Sequence, residues 1–192
     1  MRLGHQVPAK PERPIVAGSD SGVLVPGQST TTTREVEPVV LTGAPDRYLD
    51  SLDQAADGIA RITVSNDVSE VEFRMERSGQ CDTGKNCETF NLLGPSITSY
   101  DEVRDPQNLS MRLWVNGTLK QNSDSSNMIF SVSHLFWYVS QFLVLRPGHV
   151  INTGTPPGVS PGLADHPYLR AGDVMEVQIE GLGRQRQVMG AA

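Results

Sequence analysis

Two glutamates, Glu35 and Glu37, are the first side chains in the sequence whose spacing could support chemistry. They open residues 35–42, a valine-rich segment that predicts a β-strand ending before Gly43. Because side chains two positions apart on a strand point to the same face, the two carboxylates would be neighbours. They would repel each other unless a cation lay between them, and hard divalent ions such as Mg²⁺, Mn²⁺ or Ca²⁺ prefer oxygen ligands. The alternative is an ordinary solvated strand face.

A third carboxylate and a lysine follow along the chain. Asp67 comes directly after a second predicted strand, residues 59–64, where it either contributes to a site or forms a turn. Lys85 follows a glycine, so the backbone could approach a ligand while the ammonium neutralises negative charge; the alternative is a lysine in a surface loop. Residues 83–86 do not form a phosphate-binding P-loop, because the first glycine of that motif is missing.

The segment Thr-Gly-Thr-Pro at 153–156 predicts a stiff turn. The hydroxyls and backbone N–H groups around Gly154 and Thr155 suit a carboxylate or enolate oxygen, although an ordinary Gly-Pro loop would read the same way. No histidine completes a nucleophilic triad in an obvious way, and dinucleotide-binding and zinc-protease motifs are absent from the sequence.

The composition indicates a globular protein and excludes two classes of partner. The chain has 192 residues, 38% of them hydrophobic, and a net charge of −6. This acidic balance disfavours binding to nucleic-acid phosphates or to an anionic membrane. Residues 128–145 are uncharged, but polar residues interrupt them, so we interpret them as a core element and not a membrane span. Two cysteines and no visible signal peptide predict a cytoplasmic protein.

The distribution of turns predicts an arm followed by one domain. Residues 1–33 hold four prolines and a Ser-Thr tract, which predict an irregular arm with a short strand at 23–25. The domain occupies residues 34–192. Within its first strand, Pro38 predicts a sheet edge or a bulge, because proline cannot donate to a β-ladder. An Asn-Gly pair at 116–117 predicts a hairpin.

Helical patterns are fewer than strand patterns. Ser131 or Ser133 could cap a helix that ends before Pro147, and residues 48–57 have a weaker helical pattern. In the helix that begins near Ser131, the predicted buried face comprises Leu135, Val139 and Phe142. Many short strands with one or two short helices predict a β-rich α+β fold rather than a doubly wound parallel sheet.

Taken in order, these stretches resemble the fumarylacetoacetate hydrolase family over about residues 34–188. The sequences of residues 64–109 and 181–187 are most similar to the branch of the family that hydrolyses 2,4-diketo-3-deoxy sugar acids of the L-rhamnonate and L-fuconate type. The matching stretches include Glu-Val-Glu-Pro-Val-Val-Leu-Thr-Gly at 35–43, Val-Ser-Asn-Asp-Val-Ser-Glu at 64–70, Gly-Lys-Asn-Cys-Glu-Thr-Phe-Asn-Leu-Leu-Gly-Pro at 84–95 and Asn-Thr-Gly-Thr-Pro-Pro-Gly-Val at 152–159.

The resemblance implies a fold and a metal site. The family fold is a mixed β-sandwich roll, usually dimeric, that binds a divalent ion, Mg²⁺ or Mn²⁺ and alternatively Ca²⁺. Its metal ligands fall on Glu35, Glu37 and Asp67. Its active-site lysine falls on Lys85.

The resemblance also implies groups that bind the substrate and activate water. The Thr-Gly-Thr turn that holds the substrate carboxylate falls on Gly154 and Thr155. Where the family usually has an arginine and, three residues later, a glutamine, this chain has Val71 and Arg74, so Arg74 is the candidate cation. The catalytic histidine of the family's N-terminal lid has one candidate here, His5.

Together these observations predict a divalent-metal-dependent hydrolase that cleaves a carbon–carbon bond in acylpyruvates or 2,4-diketo sugar acids. The expected partners are a small keto or diketo acid and a second copy of the chain, with no nucleic acid and no membrane. A decarboxylase or isomerase that uses the same metal chemistry is one alternative. A catalytically impaired relative that acts as a dimeric binding or partner subunit is another.

Overall fold

The computed structural model describes residues 21–77 and 79–192, and His5 therefore lies outside the described residues. The helices are α1 (Leu52–Gly58), α2 (Val71–Met75) and α3 (Val132–Ser140). The strands are β1 (Val23–Val25), β2 (Thr32–Thr33), β3 (Val36–Thr42), β4 (Ile59–Asn66), β5 (Ser69–Glu70), β6 (Leu92–Leu93), β7 (Thr98–Ser99), β8 (Ser110–Val115), β9 (Thr118–Asp124), β10 (Val150–Asn152), β11 (Val174–Ile179) and β12 (Gly183–Ala191).

The strands form two main sheets and a small ribbon. One sheet has the order β1-β12-β11-β8-β9, and the other has the order β10-β3-β4-β6, with β7 also paired to β4. The ribbon pairs β2 with β5. All these pairs are antiparallel except β1 with β12, which is parallel, so the first sheet is mixed. This arrangement confirms the predicted β-rich α+β fold.

The core lies between the two main sheets. Val40 and Ile62 of one sheet, Leu113 and Val177 of the other, and Phe136 of α3 are fully buried in one continuous apolar cluster. Burying an apolar side chain of this size contributes about 1.5–3 kcal/mol, so this packing fixes the two sheets face to face. A smaller cluster under β1 and β12 includes Val23 and Met189.

The local predictions for Pro38 and the hairpin are confirmed. Pro38 pairs with Val64 of β4, but β10 pairs only with residues 39–41, so the proline lies where the neighbouring strand has ended. Asn116 and Gly117 have positive φ values of 50° and 75° and join β8 to β9. These are the backbone angles that a two-residue hairpin turn with the twist of the strands requires.

The predicted buried stripe of α3 is partly wrong. Ser131 caps the helix by accepting a hydrogen bond from the backbone N–H of His134, as expected. Val139 is buried, but Phe142 is 67% exposed and Leu135 only half-buried. The helix ends at Ser140, so Phe142 lies beyond it and the helical period no longer applies to it. The residues that α3 buries are Val132, Phe136, Val139 and Ser140.

Two further differences concern short elements. Three α-helices occur among the described residues, one more than the largest number predicted, because the five residues of α2 are too few to show a helical period. None of the described helices is long and apolar enough to cross a membrane, and α3 covers only nine of the uncharged residues 128–145.

The described part of the predicted arm, residues 21–33, pairs with the domain. The strand predicted at 23–25 is present as β1 beside β12, and residues 32–33 form β2 beside β5. The domain boundary between residues 33 and 34 stays a prediction. The hydroxyls of Ser29, Thr31 and Thr32 all donate to the carboxylate of Glu70, so the Ser-Thr tract satisfies a buried acid of the domain.

Candidate metal centre

Neighbouring strands bring the three candidate carboxylates together. Glu35 lies directly before β3, Glu37 is in it, and Asp67 follows the end of β4. The antiparallel register places Glu37 opposite Ser65, and the N–H of Asp67 donates to the carbonyl of Glu35 at 2.8 Å. The two glutamates at the start of β3 and the aspartate after the end of β4 therefore lie close together.

The three carboxylates form a compact, buried cluster. One oxygen from each of Glu35, Glu37 and Asp67 lies within 4.8 Å of the other two. Their exposed fractions are 6%, 3% and 1%, respectively. Like charges at this distance in a low-dielectric interior repel strongly, so the cluster requires positive charge or protons.

Lys85 supplies part of that positive charge. Its Nζ donates to Glu35 Oε2 at 2.7 Å and to Asp67 Oδ2 at 2.6 Å, and the side chain is 6% exposed. Burial lowers the pKa of Lys85, but the carboxylates of Asp67, Glu35 and Glu37 together raise it above its ordinary value. Lys85 is therefore a charged ammonium inside the cluster and not a lysine of a surface loop.

Gly84 determines how close Lys85 comes to the carboxylates. It ends the 3₁₀ turn Cys81–Gly84, which packs against α2. A Cβ at Gly84 would lie 2.2 Å from the carbonyl oxygen of Glu70 and 2.8 Å from the Cβ of Arg74. Only glycine fits this close approach, and Lys85 is the next residue.

Arg74 also reaches the cluster. Its Nη1 lies 3.6 Å from Glu35 Oε1, and its Nε is buried without a hydrogen-bond partner among the described residues. Val71, one helical turn earlier on α2, is buried and apolar. Arg74 therefore places a cation next to Glu35, whereas position 71, where the resemblance implies an arginine, is apolar.

In the predicted substrate-binding turn, Gly154 and Thr155 form hydrogen bonds to other residues of the protein. The backbone N–H of Gly154 donates to Glu37 Oε2 at 3.0 Å. The hydroxyl of Thr155 donates to the carbonyl of Val36 at 3.0 Å and accepts from Gln121 Nε2 at 2.8 Å. In this arrangement Gly154 positions a candidate metal ligand, and Thr155 fixes the turn to β3.

Supporting side chains that the motifs did not reveal lie behind the cluster. Asn66 Oδ1 accepts from the N–H of Glu35 at 3.2 Å, while its Nδ2 donates to Gln187 Oε1 at 3.2 Å. Gln185 donates to the carbonyl of Val64 at 2.9 Å. Both glutamines are fully buried on β12, and the only signal for them in the sequence was their alternation with arginines at 184–187.

The remaining charge imbalance falls on Glu37. Burial and the neighbouring carboxylate of Asp67 raise the pKa of Glu37 well above its ordinary value, although the ammonium of Lys85 acts in the opposite direction. In the described ranges 21–77 and 79–192, the cations that contact these three carboxylates are Lys85 and Arg74. The donor set is all oxygen and carries an excess of negative charge, and it therefore fits a hard divalent cation.

Comparison with known proteins places the chain in a family. The family described as fumarylacetoacetate (FAA) hydrolase C-terminal matches residues 9–189. The chain belongs to this family. A Burkholderia multivorans protein named "Putative hydrolase" is 44% identical over 178 residues, which are 92% of this chain and 63% of that protein. The chain thus spans less than two thirds of the length of this relative.

Solved structures of the fumarylacetoacetate hydrolase superfamily share the fold and differ in activity. Fumarylacetoacetate hydrolase from Exiguobacterium antarcticum is 30% identical with a TM-score of 0.82, covering 91% of this chain and 64% of that one. Fumarylpyruvate hydrolase from Pseudomonas aeruginosa, in complex with Mn²⁺ and pyruvate, is 27% identical with a TM-score of 0.80, covering 90% and 72%. A 5-carboxymethyl-2-hydroxymuconate delta-isomerase from Mycobacterium smegmatis is 28% identical with a TM-score of 0.81, covering 91% and 65%.

Proposed function

We propose that this chain carries the catalytic centre of a divalent-metal-dependent hydrolase that cleaves a carbon–carbon bond in acylpyruvates or 2,4-diketo sugar acids. The observation that carries the proposal is the buried cluster of Glu35, Glu37 and Asp67 with Lys85 bonded into it. The Mn²⁺ and pyruvate bound by the similar Pseudomonas aeruginosa enzyme support this choice of metal and substrate class.

The residues of the centre have separate roles in this proposal. Glu35, Glu37 and Asp67 would hold Mg²⁺ or Mn²⁺, and the bound ion would supply Lewis-acid chemistry for the keto oxygens of the substrate. Gly154 keeps Glu37 in place through its N–H. Lys85, an ammonium with three donors, stabilises the negative charge that develops on the substrate oxygen. Arg74 attracts the anionic substrate to the cluster.

The proposed reaction requires one substrate molecule and one water molecule, with no other reactant. A water oxygen bonds to the distal carbonyl carbon, the bond from that carbon to the neighbouring methylene carbon breaks, and its electron pair remains on the pyruvate portion. That portion then takes up a proton, so the products are a carboxylic acid and pyruvate or a pyruvate derivative. We propose His5 as the base that removes the proton from water.

An isomerase is the second candidate function. The observation that favours it is the similarity to the Mycobacterium smegmatis delta-isomerase, which matches as well as the hydrolases do. An isomerase would move a double bond without releasing two acids. Product analysis of one substrate panel therefore separates the two activities.

Calorimetric titration of the purified chain with Mn²⁺ is the first test. We expect one ion per chain for the wild type and binding at least 100-fold weaker for Glu37→Gln, because one of three charged ligands is lost. Glu180→Gln, at an exposed position, is the matched control and should bind like the wild type. Equal binding by Glu37→Gln and wild type would refute the metal centre.

The second step applies to the loaded protein. Acylpyruvates and diketo sugar acids are incubated with the Mn²⁺ form, and the products are identified. Release of two acids supports the hydrolase, and a shifted double bond supports the isomerase. If the loaded protein turns over no member of the panel, the hydrolase proposal fails and a binding subunit becomes the better hypothesis.

We propose a second copy of the chain as its partner and the cytoplasm as its location. Six exposed apolar residues lie on and around α3: Ile129, Phe130, Tyr138, Phe142, Leu143 and Val144. This surface lies within the uncharged residues 128–145, so a like surface on a second copy matches it without burying a charge. A chain with only two cysteines suits a reducing compartment.

Light scattering after size exclusion tests the dimer. We expect twice the mass of one chain for the wild type and the mass of one chain for Phe142→Glu, because the new charge would be buried at the interface. Leu119→Glu is the control, since Leu119 is 47% exposed but lies on the hairpin strand β9, outside the apolar surface. A dimeric Phe142→Glu protein would place the interface elsewhere.

A further inference from the structure

Arg34 is a buried cation that the metal centre does not use. The residue is fully buried. Its Nη1 donates to Ser160 Oγ and to the carbonyl of Pro167 at 3.0 Å, and its Nη2 donates to the carbonyl of Gly158 at 3.4 Å. Its Nε has no hydrogen-bond partner among residues 21–77 and 79–192. Within the described part of the chain, every hydrogen-bond partner of the guanidinium is therefore a neutral oxygen, and no carboxylate contacts it.

The positive charge of Arg34 is therefore not neutralised by a directly bonded negative charge in the described part of the chain. The carboxylates of Asp165 and Asp173 act on it only through space, without direct contact. Charged groups that are fully buried are normally paired with an opposite charge, because removing an ion from water is energetically costly. Lys85 shows the usual solution, with its ammonium in direct contact with two carboxylates.

A cleft of about 260 Å³ lies against Arg34. Lys120 also lines it, half-buried, with no hydrogen bond or ion pair from its ammonium to the described residues. Among the described residues of the lining, the one carboxylate is that of Asp173, and both of its oxygens are occupied, by Asn116 Nδ2 at 2.7 Å and by the N–H of Arg170 at 2.7 Å. The lining therefore combines two cations with one satisfied anion, in a protein whose net charge is −6.

Neutral donors complete the lining, and the metal centre does not share it. Asn116, Thr118 and Tyr168 contribute polar side chains, while Val115 and Leu169 contribute apolar surface. None of Glu35, Glu37, Asp67 or Lys85 lines the cleft. A cavity of this volume corresponds to about eight or nine water molecules, which is enough for a small organic acid or a phosphate ester.

We propose that this cleft is a second binding site, which takes the oxyanion group of a small molecule, a carboxylate or a phosphate. Lys120 contacts the oxyanion, and Arg34 contributes its charge from the wall of the cleft. The same guanidinium binds Gly158 and Ser160, which follow the turn containing Gly154 and Thr155. An anion in the cleft is thereby connected to the turn that holds Glu37.

Nuclear magnetic resonance of the ¹⁵N-labelled chain tests the proposal with inorganic phosphate and succinate as separate probes. We expect saturable shifts of the amides of Thr118 and Leu169 with at least one probe. Lys120→Gln should weaken that binding about tenfold, because a charge-assisted contact is lost. The comparison of the two probes decides between a phosphate and a carboxylate ligand.

Two controls keep the outcome interpretable. Arg184→Gln removes one positive charge at a site paired with Glu176, away from the cleft, and should bind as the wild type does. Lys120→Arg should retain binding, since it keeps the charge. Unchanged binding by Lys120→Gln, shifts confined to residues near Lys85, or no saturable shift with either probe would overturn the proposal. Binding of Mn²⁺ by the same variants is measured separately, so the two sites are judged independently.

Discussion

Two buried carboxylates, Glu70 and Glu37, are satisfied in opposite ways. Glu70 is fully buried, and its oxygens accept hydrogen bonds from the hydroxyls of Ser29, Thr31 and Thr32 and from the N–H of Glu72. Glu37 is 3% exposed and accepts from the N–H of Gly154. It has the carboxylates of Asp67 and Glu35 as neighbours.

The difference shows what a buried acid needs and what a metal site requires. A single carboxylate can be stabilised by neutral donors, each worth more than an ordinary hydrogen bond because the acceptor is charged. Three carboxylates within 4.8 Å cannot, since neutral donors do not cancel their mutual repulsion. The carboxylates around Glu37 are arranged so that a cation would be favourable, and their mutual repulsion lowers the stability of the fold. The hydrogen bonds to Glu70, in contrast, stabilise the fold.

Glu70→Ala should have the largest effect on stability. It leaves three hydroxyls of the Ser-Thr tract without their acceptor and should lower the free energy of unfolding by about 3–5 kcal/mol. Urea denaturation measures this change. Glu70→Gln keeps an acceptor and should lose less than half as much. If Glu70→Ala abolished Mn²⁺ binding while the protein remained folded, the distinction between the two clusters would be wrong.

Gly84→Ala tests the contact between the two clusters. The new Cβ would meet the backbone carbonyl of Glu70 at 2.2 Å, so the turn before Lys85 must move away from α2. We expect a loss of about 1–3 kcal/mol of stability, the usual cost of overpacking. Gly79→Ala is an unsuitable control because the φ of Gly79 is +66°, but Gly27 has no atom near its Cβ position, and Gly27→Ala should be close to neutral. Equal stability of the Gly84 and Gly27 variants would contradict the close packing.

Lys85→Met tests whether the Lys85 ammonium competes with the metal ion for the carboxylates or helps to arrange them. The ammonium bonds to two of the three candidate ligands, so a metal ion must displace it from Glu35 and Asp67. Removing it should tighten Mn²⁺ binding about tenfold while abolishing turnover. Calorimetry and an assay of the same preparation measure the two effects. Weaker Mn²⁺ binding in this variant would show that Lys85 helps to organise the ligands.

The pH dependence of the metal-free protein should give the smallest effect. The pKa of Glu37 is raised above the ordinary 4.5. At pH values between 4.5 and the folded-state pKa, Glu37 therefore keeps a proton in the folded protein that it has lost in the unfolded chain. Stability from this group is therefore greatest below 4.5 and declines as pH rises through the folded-state pKa. Urea unfolding at about pH 5 and about pH 7 should show a decline that is smaller in Glu37→Gln. Identical profiles for the two proteins would rule out protonation of Glu37.

Sequence reasoning located elements and ligands where the determinants are local. Glu35 and Glu37 share a strand face because alternation is a property of the backbone, and Asn116-Gly117 turns because those residues tolerate positive φ. The same reasoning was wrong for Phe142, because the point at which α3 ends depends on its tertiary packing. It did not reveal the contact between the Ser-Thr tract and Glu70, since Glu70 lies 38–41 residues further along the chain.

The sequence by itself determined the types of side chain at the centre and the β-rich class of the fold, because strand alternation, turn preferences and motif wording are all encoded in short segments. Tertiary structure alone decided which charges meet. It placed Lys85 between Glu35 and Asp67, turned Arg74 toward Glu35, and left Arg34 buried among neutral oxygens. Electrostatic energy depends on distances between residues remote in the chain and on their burial, and neither quantity exists until the sheets have packed.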